Sequence, residues 1–275
     1  MAIKLSDSFT YGRLALFAVP SIVMMVFASI YSVVDGLFVS NFAGKDALAA
    51  VNLVFPLVTA LGCIGYMLGT GGAALVAKIM GEGDGKRANR LFTFIFLSAV
   101  VFGIVLSLMG SAFMRPFLGL MGADGELVDL SIQYGQILFF ALPFFILQNV
   151  FQSFFVAAEK PHIGLVVIVA GGLVNIVLDY VFIGVFGWGV VGAALATAAG
   201  QILAAVIPIM YFANSKTSRL RLTKPVFELR SLGKACLNGS SELMTEIAAS
   251  VVAMLYNFQL MGLAGADGVA AYGVI

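Results

Sequence analysis

Seven stretches of the chain are each long and apolar enough to cross a lipid bilayer. A bilayer accepts only two kinds of spanning backbone, the helix and the closed barrel, because nothing in its core can hydrogen-bond a free N–H or C=O. A spanning helix needs about 20 predominantly apolar residues. The runs fall at Leu14–Ser40, Ala49–Met80, Leu91–Ala112, Val128–Ala158, Ile163–Phe186, Val190–Ala213 and Ala235–Leu263. They are continuous and lack the strict alternation of barrel strands. The expected fold class is therefore an all-α integral membrane protein, multi-pass, with the lipid bilayer as its first partner.

Composition closes off other classes. Hydrophobic residues make up 61% of the 275 and charged residues 11%, less than half the roughly 25% of an average soluble domain. With a net charge of +1 there is no basic surface for nucleic acid. Two distant cysteines, Cys63 and Cys236, and one histidine, His162, leave no disulfide framework and no cysteine or multi-histidine metal site. Gly81-Glu82-Gly83-Asp84-Gly85-Lys86-Arg87 is a glycine-rich turn rather than a phosphate loop. No serine or threonine follows the lysine and no strand precedes it.

Charge sets an expected orientation. Thirteen of the fifteen basic residues fall before the first span or in the connections after the second, fourth and sixth. Only Lys45 and Arg115 fall on the other side. The positive-inside rule then places the N-terminus in the cytoplasm. The first span is too long for the apolar region of a secretory signal and runs past Asp35 without a small-residue cleavage site.

The chain also repeats. Shifted by 221 residues, Ala43-Gly44-Lys45-Asp46-Ala47-Leu48-Ala49-Ala50 lies over Ala264-Gly265-Ala266-Asp267-Gly268-Val269-Ala270-Ala271, with five identities in eight. Leu53 over Val274 and Val54 over Ile275 continue the likeness. This predicts a six-helix transmembrane lobe over 1–213, a basic cytoplasmic linker over 214–234, and over 235–275 the first helix and following loop of a second lobe. A transporter of six plus six helices, built from two parallel repeats and cut after its seventh helix, would read this way.

Charged groups at a helix centre cost about 2.5–3.5 kcal/mol on insertion scales, so each needs a reason. Asp35 and Asp179 each lie about six residues, roughly 9 Å, from the same end of their spans. Tyr134, Asn175 and Thr197 come from the fourth, fifth and sixth spans at nearly that depth. Asn175 precedes Asp179 by four and shares its face. No basic residue is at hand, so the two carboxylates would hold a proton or bind a cation. Aspartate is too short to snorkel from this depth. Glu242 and Glu246 lie four apart on the seventh span. Glu242 could cap its inner end; Glu246, near the middle, needs a partner or a proton.

Pro20 with Tyr31-Ser32-Val33-Val34-Asp35-Gly36-Leu37-Phe38-Val39-Ser40 and Ala43-Gly44, Asn175-Ile176-Val177-Leu178-Asp179-Tyr180-Val181-Phe182-Ile183, and Gly189-Val190-Val191-Gly192-Ala193-Ala194 together resemble the multidrug and toxic compound extrusion family, MATE. The resemblance covers the whole chain but about half of a family member, which has twelve helices in two lobes. It implies an antiporter, not an enzyme, of the plasma (inner) membrane. Such a protein exports small organic, often cationic compounds by alternating access, against sodium or proton entry, as a complete twelve-helix monomer without a cofactor. It further implies that Asp35, Asp179, Asn175 and Thr197 take the coupling cation, with sodium bound at Asp35 and Asp179 if sodium is that ion. Tyr134 is similar to a tyrosine near that cluster and Pro20 to a proline associated with bending. No role passes to Glu242 or Glu246. The alternatives are a lipid-linked sugar flippase of the same plan, a passive channel, and a membrane-embedded enzyme. The flippase would call for mid-membrane cationic residues and the enzyme for paired aspartate motifs at a helix end.

Overall fold

The computed structural model describes residues 11–215 and 218–273, and every regular element among them is helical. Lys4, Lys216, Val274, Ile275 and the side chain of Arg13 lie outside the described residues. The elements are α1 (Tyr11–Phe38), α2 (Lys45–Gly62), α3 (Ile64–Gly81), α4 (Gly85–Leu120), α5 (Gly125–Ala157), α6 (Pro161–Asp179), α7 (Gly189–Asn214), α8 (Leu229–Asn238) and α9 (Ser240–Tyr272). Seven spans result, because α2 and α3 join through a near-helical Cys63 into one run, Lys45–Gly81. The protein is a multi-pass membrane protein of the expected all-α class.

Local chemistry sets the helix ends. The Asp84 side chain accepts a hydrogen bond from the Arg87 backbone N–H at 3.0 Å and starts α4, filling one of the orphan donors of a helix N-terminus. Pro161 opens α6, where its missing N–H costs nothing. Asp46 sits in the first turn of α2, favourably placed against the helix dipole.

α5 is the centre of the bundle and touches α2, α3, α4, α6 and α7. Phe92, Phe151, Phe154, Phe155 and Phe212 meet between α4, α5 and α7, with ring centroids 4.6–6.4 Å apart and all five rings buried. Many of the phenylalanines therefore build the core. α1 and α9 lie at the periphery, α1 against α6 and α9 against α2.

Three features depart from the expected outline. The seventh span does not begin at Ala235. α8 ends at Asn238, the chain breaks at Gly239, and α9 follows. Nor does it end at Leu263 in a loop. The helix turns back at Gly265 and stays helical to Tyr272. Tyr256 and Tyr272 stack at 5.4 Å, whereas sixteen residues of straight helix would separate them by about 24 Å. Gly265 adopts φ 62°, ψ −152°, and Gly44, its counterpart in the 221-residue repeat, adopts φ 92°, ψ 172°. Both values lie in a region that only glycine occupies readily, so the repeat carries the same reversal in both copies.

The third departure is the connection after α7, which lies on the bundle as a strap. Arg221 N–H donates to Asn89 Oδ1 at 2.8 Å, Thr223 N–H to Thr93 Oγ1 at 2.9 Å and Leu222 N–H to the Phe212 carbonyl at 3.0 Å. Leu220 is buried beneath it. Glu228 closes the strap against Arg87 at 2.9 and 3.2 Å and accepts from the Ser231 hydroxyl at 2.6 Å. Those two donors hold its carboxyl below the usual range, the Arg87 guanidinium contributing most.

Candidate functional site

The site forms where α1, α6 and α7 converge at the end of the bundle away from the strap. α1 reaches α6 because Phe27 and Tyr31 lie over Gly172. α6 and α7 approach through Gly171 and Gly200. A methyl group on Gly200 would stand 2.9 Å from the Gly171 carbonyl oxygen, so only glycine fits. Small residues permit such approaches between membrane helices. The approach carries Asn175, one turn beyond Gly171, towards Thr197 and Gln201, which flank Gly200 on α7.

Between these helices lies a cavity of about 180 Å³. Tyr31, Asp35, Tyr134, Asn175, Thr197 and Gln201 line its polar side, and Phe55, Phe145 and Ile168 its apolar side. Asp179 sits behind the wall with no exposed surface. The carboxyl groups of Asp35 and Asp179 face each other within hydrogen-bonding reach. Among the described residues no donor serves Asp35 Oδ1 or either oxygen of Asp179. Both polar atoms of the Asn175 side chain and Oε1 of Gln201 are likewise buried without a partner. Tyr134, 1% exposed, lies within electrostatic reach of both carboxyls. Among the described residues no lysine or arginine lines the cavity.

Both acids adjoin π-helical turns. Val39–Ala43 begins one turn after Asp35, and Tyr180–Val185 begins directly after Asp179. Wide-turn bonds close them, from Gly44 N–H to the Val39 carbonyl at 3.2 Å and from Phe186 N–H to the Val181 carbonyl at 2.9 Å. The two turns lie against each other. Isolated π turns cost helix regularity and recur at functional sites.

The structure thus brings Asp35, Asp179, Asn175, Thr197 and Tyr134 together. It adds Gln201, which the sequence reading passed over although it follows Thr197 by four and shares its helix face. Pro20 is not at the cluster. It precedes Asp35 by fifteen residues, about 22 Å along the helix, and α1 stays helical through it. Glu242 is exposed, and Glu246 faces Tyr66 and Cys63 from α9, apart from the two aspartates. Among the described residues no three acidic, histidine or cysteine side chains gather as a metal site would require.

An all-helical, multi-pass bundle with one carboxyl lining a polar cavity and a second buried behind its wall has the architecture of a membrane transport protein's lobe. A family model described as MatE matches residues 20–181, more than half of the chain, and the chain belongs to that family. It is 26% identical over 261 residues to the multidrug export protein MepA of Staphylococcus saprophyticus, covering 94% of this chain and 57% of that protein. It is 27% identical over 218 residues to MepA of Staphylococcus aureus strain MRSA252, covering 78% and 48%. The chain spans about half the length of these curated relatives. Two solved structures share its fold. One is an inward-facing conformation of a multidrug resistance MATE family transporter, with TM-score 0.85 and 24% identity over 92% of this chain and 60% of that one. The other is an outward-facing conformation, with TM-score 0.82 and 23% identity over 97% and 61%.

Proposed function

We propose that this chain forms the first lobe and the opening helix of the second lobe of a cation-coupled exporter of small organic compounds. Residues 1–213 make the lobe, 214–234 the linker and 235–275 the start of the next lobe. The observation that carries the reading is the pair of facing, buried carboxyls with no base beside them. Such a pair takes up a positive charge because leaving both groups ionised and bare is costly.

Asp35 and Asp179 are the cation-binding pair. Asn175 and Thr197 supply neutral oxygens at the same wall, and Tyr134 offers a hydroxyl within electrostatic reach of both carboxyls. This all-oxygen set suits a proton or a hard cation such as sodium. Uptake of that ion from outside and its release inside drive export by alternating access. The basic residues gather at the strap end, which supports a cytoplasmic position for that end and for the N-terminus, in a plasma-membrane protein. A cavity that no described lysine or arginine lines supports organic cations as cargo over the lipid-linked sugar flippase. The MepA relatives, named as multidrug export proteins, support the same direction. The complete protein is expected to act as a monomer of twelve helices.

The test is efflux of a cationic dye from vesicles holding this chain together with a matching C-terminal half. Sodium and pH gradients are imposed separately. Export is expected with one gradient or both, and is expected to disappear with Asp35→Asn. Equal export by that variant would remove Asp35 from the coupling site.

A further inference from the structure

The interior of α2 carries Pro56. Proline has no N–H, so the carbonyl four residues back, that of Asn52, loses its regular helical donor. Away from water a backbone carbonyl needs a partner. Here the donor comes from 205 residues further along the chain. Asn257 on α9 donates its Nδ2 to the Asn52 carbonyl at 2.6 Å, and Asn257 is 1% exposed. Asn52 answers with its own side chain, donating Nδ2 to the Val269 carbonyl at 3.1 Å, beyond the reversal at Gly265. One residue of α2 therefore holds both arms of the folded-back α9. A third polar contact on the same face, Thr59 Oγ1 to Ser250 Oγ at 3.1 Å, lies two turns of α9 before Asn257. Asn52 also lines the cavity that contains Asp35.

We propose that Asn52, Pro56 and Asn257 form a releasable joint between α2 and α9, and that parting it separates these helices beside the cavity. The proline is the essential part. With an ordinary residue at position 56 the Asn52 carbonyl would be satisfied within α2 and would no longer depend on Asn257. Pro56 thus turns an internal helix bond into a bond between the six-helix bundle and α9. That bond breaks without unwinding either helix. The three hydrogen bonds and the exposed Lys45–Asp267 ion pair, at 2.7 Å, that join α2 to α9 can also part and re-form, because hydrogen bonds between membrane helices average well under 1 kcal/mol each and exposed ion pairs contribute about 0–1 kcal/mol.

The test reads the α2–α9 separation and not transport, so it stands apart from the coupling proposal. Spin labels are placed on the exposed Asp46 of α2 and Leu263 of α9 in the full 275-residue chain in lipid nanodiscs, with Cys63 and Cys236 replaced by serine. Asn257→Ala is expected to raise the population of the longer distance about 3- to 20-fold, the range spanned by single hydrogen bonds between membrane helices. It should also lower the thermal midpoint, since the Asn52 carbonyl is left bare. Adding Pro56→Ala should restore the midpoint, because the new N–H takes that carbonyl, while the longer distance persists. A purely structural role would lead the second substitution to restore both readouts. If Asn257→Ala alone does not fold, the double variant carries the same distance measurement. An unchanged distance distribution in either variant, or recovery of the short distance on adding Pro56→Ala, overturns the proposal.

Discussion

Asp179→Asn should make the protein more stable while ending the proposed cation-coupled export. Asp179 has no exposed surface, and among the described residues neither of its oxygens nor Asp35 Oδ1 meets a donor. A buried acceptor left unpaired costs about 1–3 kcal/mol. The asparagine amide keeps the shape, removes one of the two facing acids, and brings an NH₂ group within reach of the Asp35 carboxyl. One hydrogen bond gained between membrane helices is worth about 0.6 kcal/mol on average and up to about 1.7. Relief of one unpaired acceptor adds to this, so a gain of about 1 kcal/mol is a fair expectation. For a chain of this size that raises the melting midpoint by about 2–4 °C. The assay is thermal unfolding of the purified 275-residue chain in detergent at pH 7, parent beside variant. A lower midpoint would refute the reasoning, because it would mean that the Asp179 carboxylate is held by partners and serves the fold. A residue kept at the expense of stability is one kept for its chemistry.

The same site yields a second expectation: in the coupled efflux assay, Asp35→Asn with Asp179→Asn should lose little more than either alone, since two acids sharing a site titrate as a unit. Additive losses would indicate two independent sites. Gly200→Ala should destabilise the chain by about 1–3 kcal/mol, because its methyl would stand 2.9 Å from the Gly171 carbonyl oxygen; an unchanged midpoint in thermal unfolding would mean that α6 and α7 yield there. The strap should loosen in acid. The Glu228 carboxyl is held below its ordinary value of 4.5 by Arg87 and Ser231, so its contribution is complete above that pH and disappears as pH falls through the lowered value. Hydrogen-exchange protection at the amides of Arg221 and Thr223, taken against the intrinsic rate at each pH, should fall only below about pH 4.5, and Glu228→Gln should abolish that acid step.

Much of this arrangement is written in local patterns. Long apolar runs define the seven spans because the bilayer leaves no alternative to the helix. Asp35, Asp179 and Asn175 stood out because a polar group in lipid is expensive, and counting residues from the span ends put them at one depth. The reversal at Gly265 was half visible, since the repeat aligned it with Gly44, but the repeat does not say that glycine sits there for its positive φ. Gln201 was missed because an uncharged amide is a weaker signal in an apolar run than a carboxylate. The strap looked like a tether because its hydrogen bonds join backbone N–H groups to Asn89 and Thr93, far away in sequence and ordinary in type. The π turns have no clear signature in residue type. The Asn52–Asn257 bond had one readable half, a proline four residues after an asparagine. The other half depends on how α9 packs, which no local pattern specifies.

In the proposed mechanism the facing carboxyls of Asp35 and Asp179 carry the coupling cation. The most direct measurement loads a cationic dye into vesicles bearing this chain with its matching C-terminal half and follows dye efflux as a sodium or pH gradient is imposed. Export by the parent under at least one gradient, and none above the protein-free rate for Asp179→Asn under either, is the predicted result. Gradient-driven export that persists at the parent rate in Asp179→Asn would contradict the account.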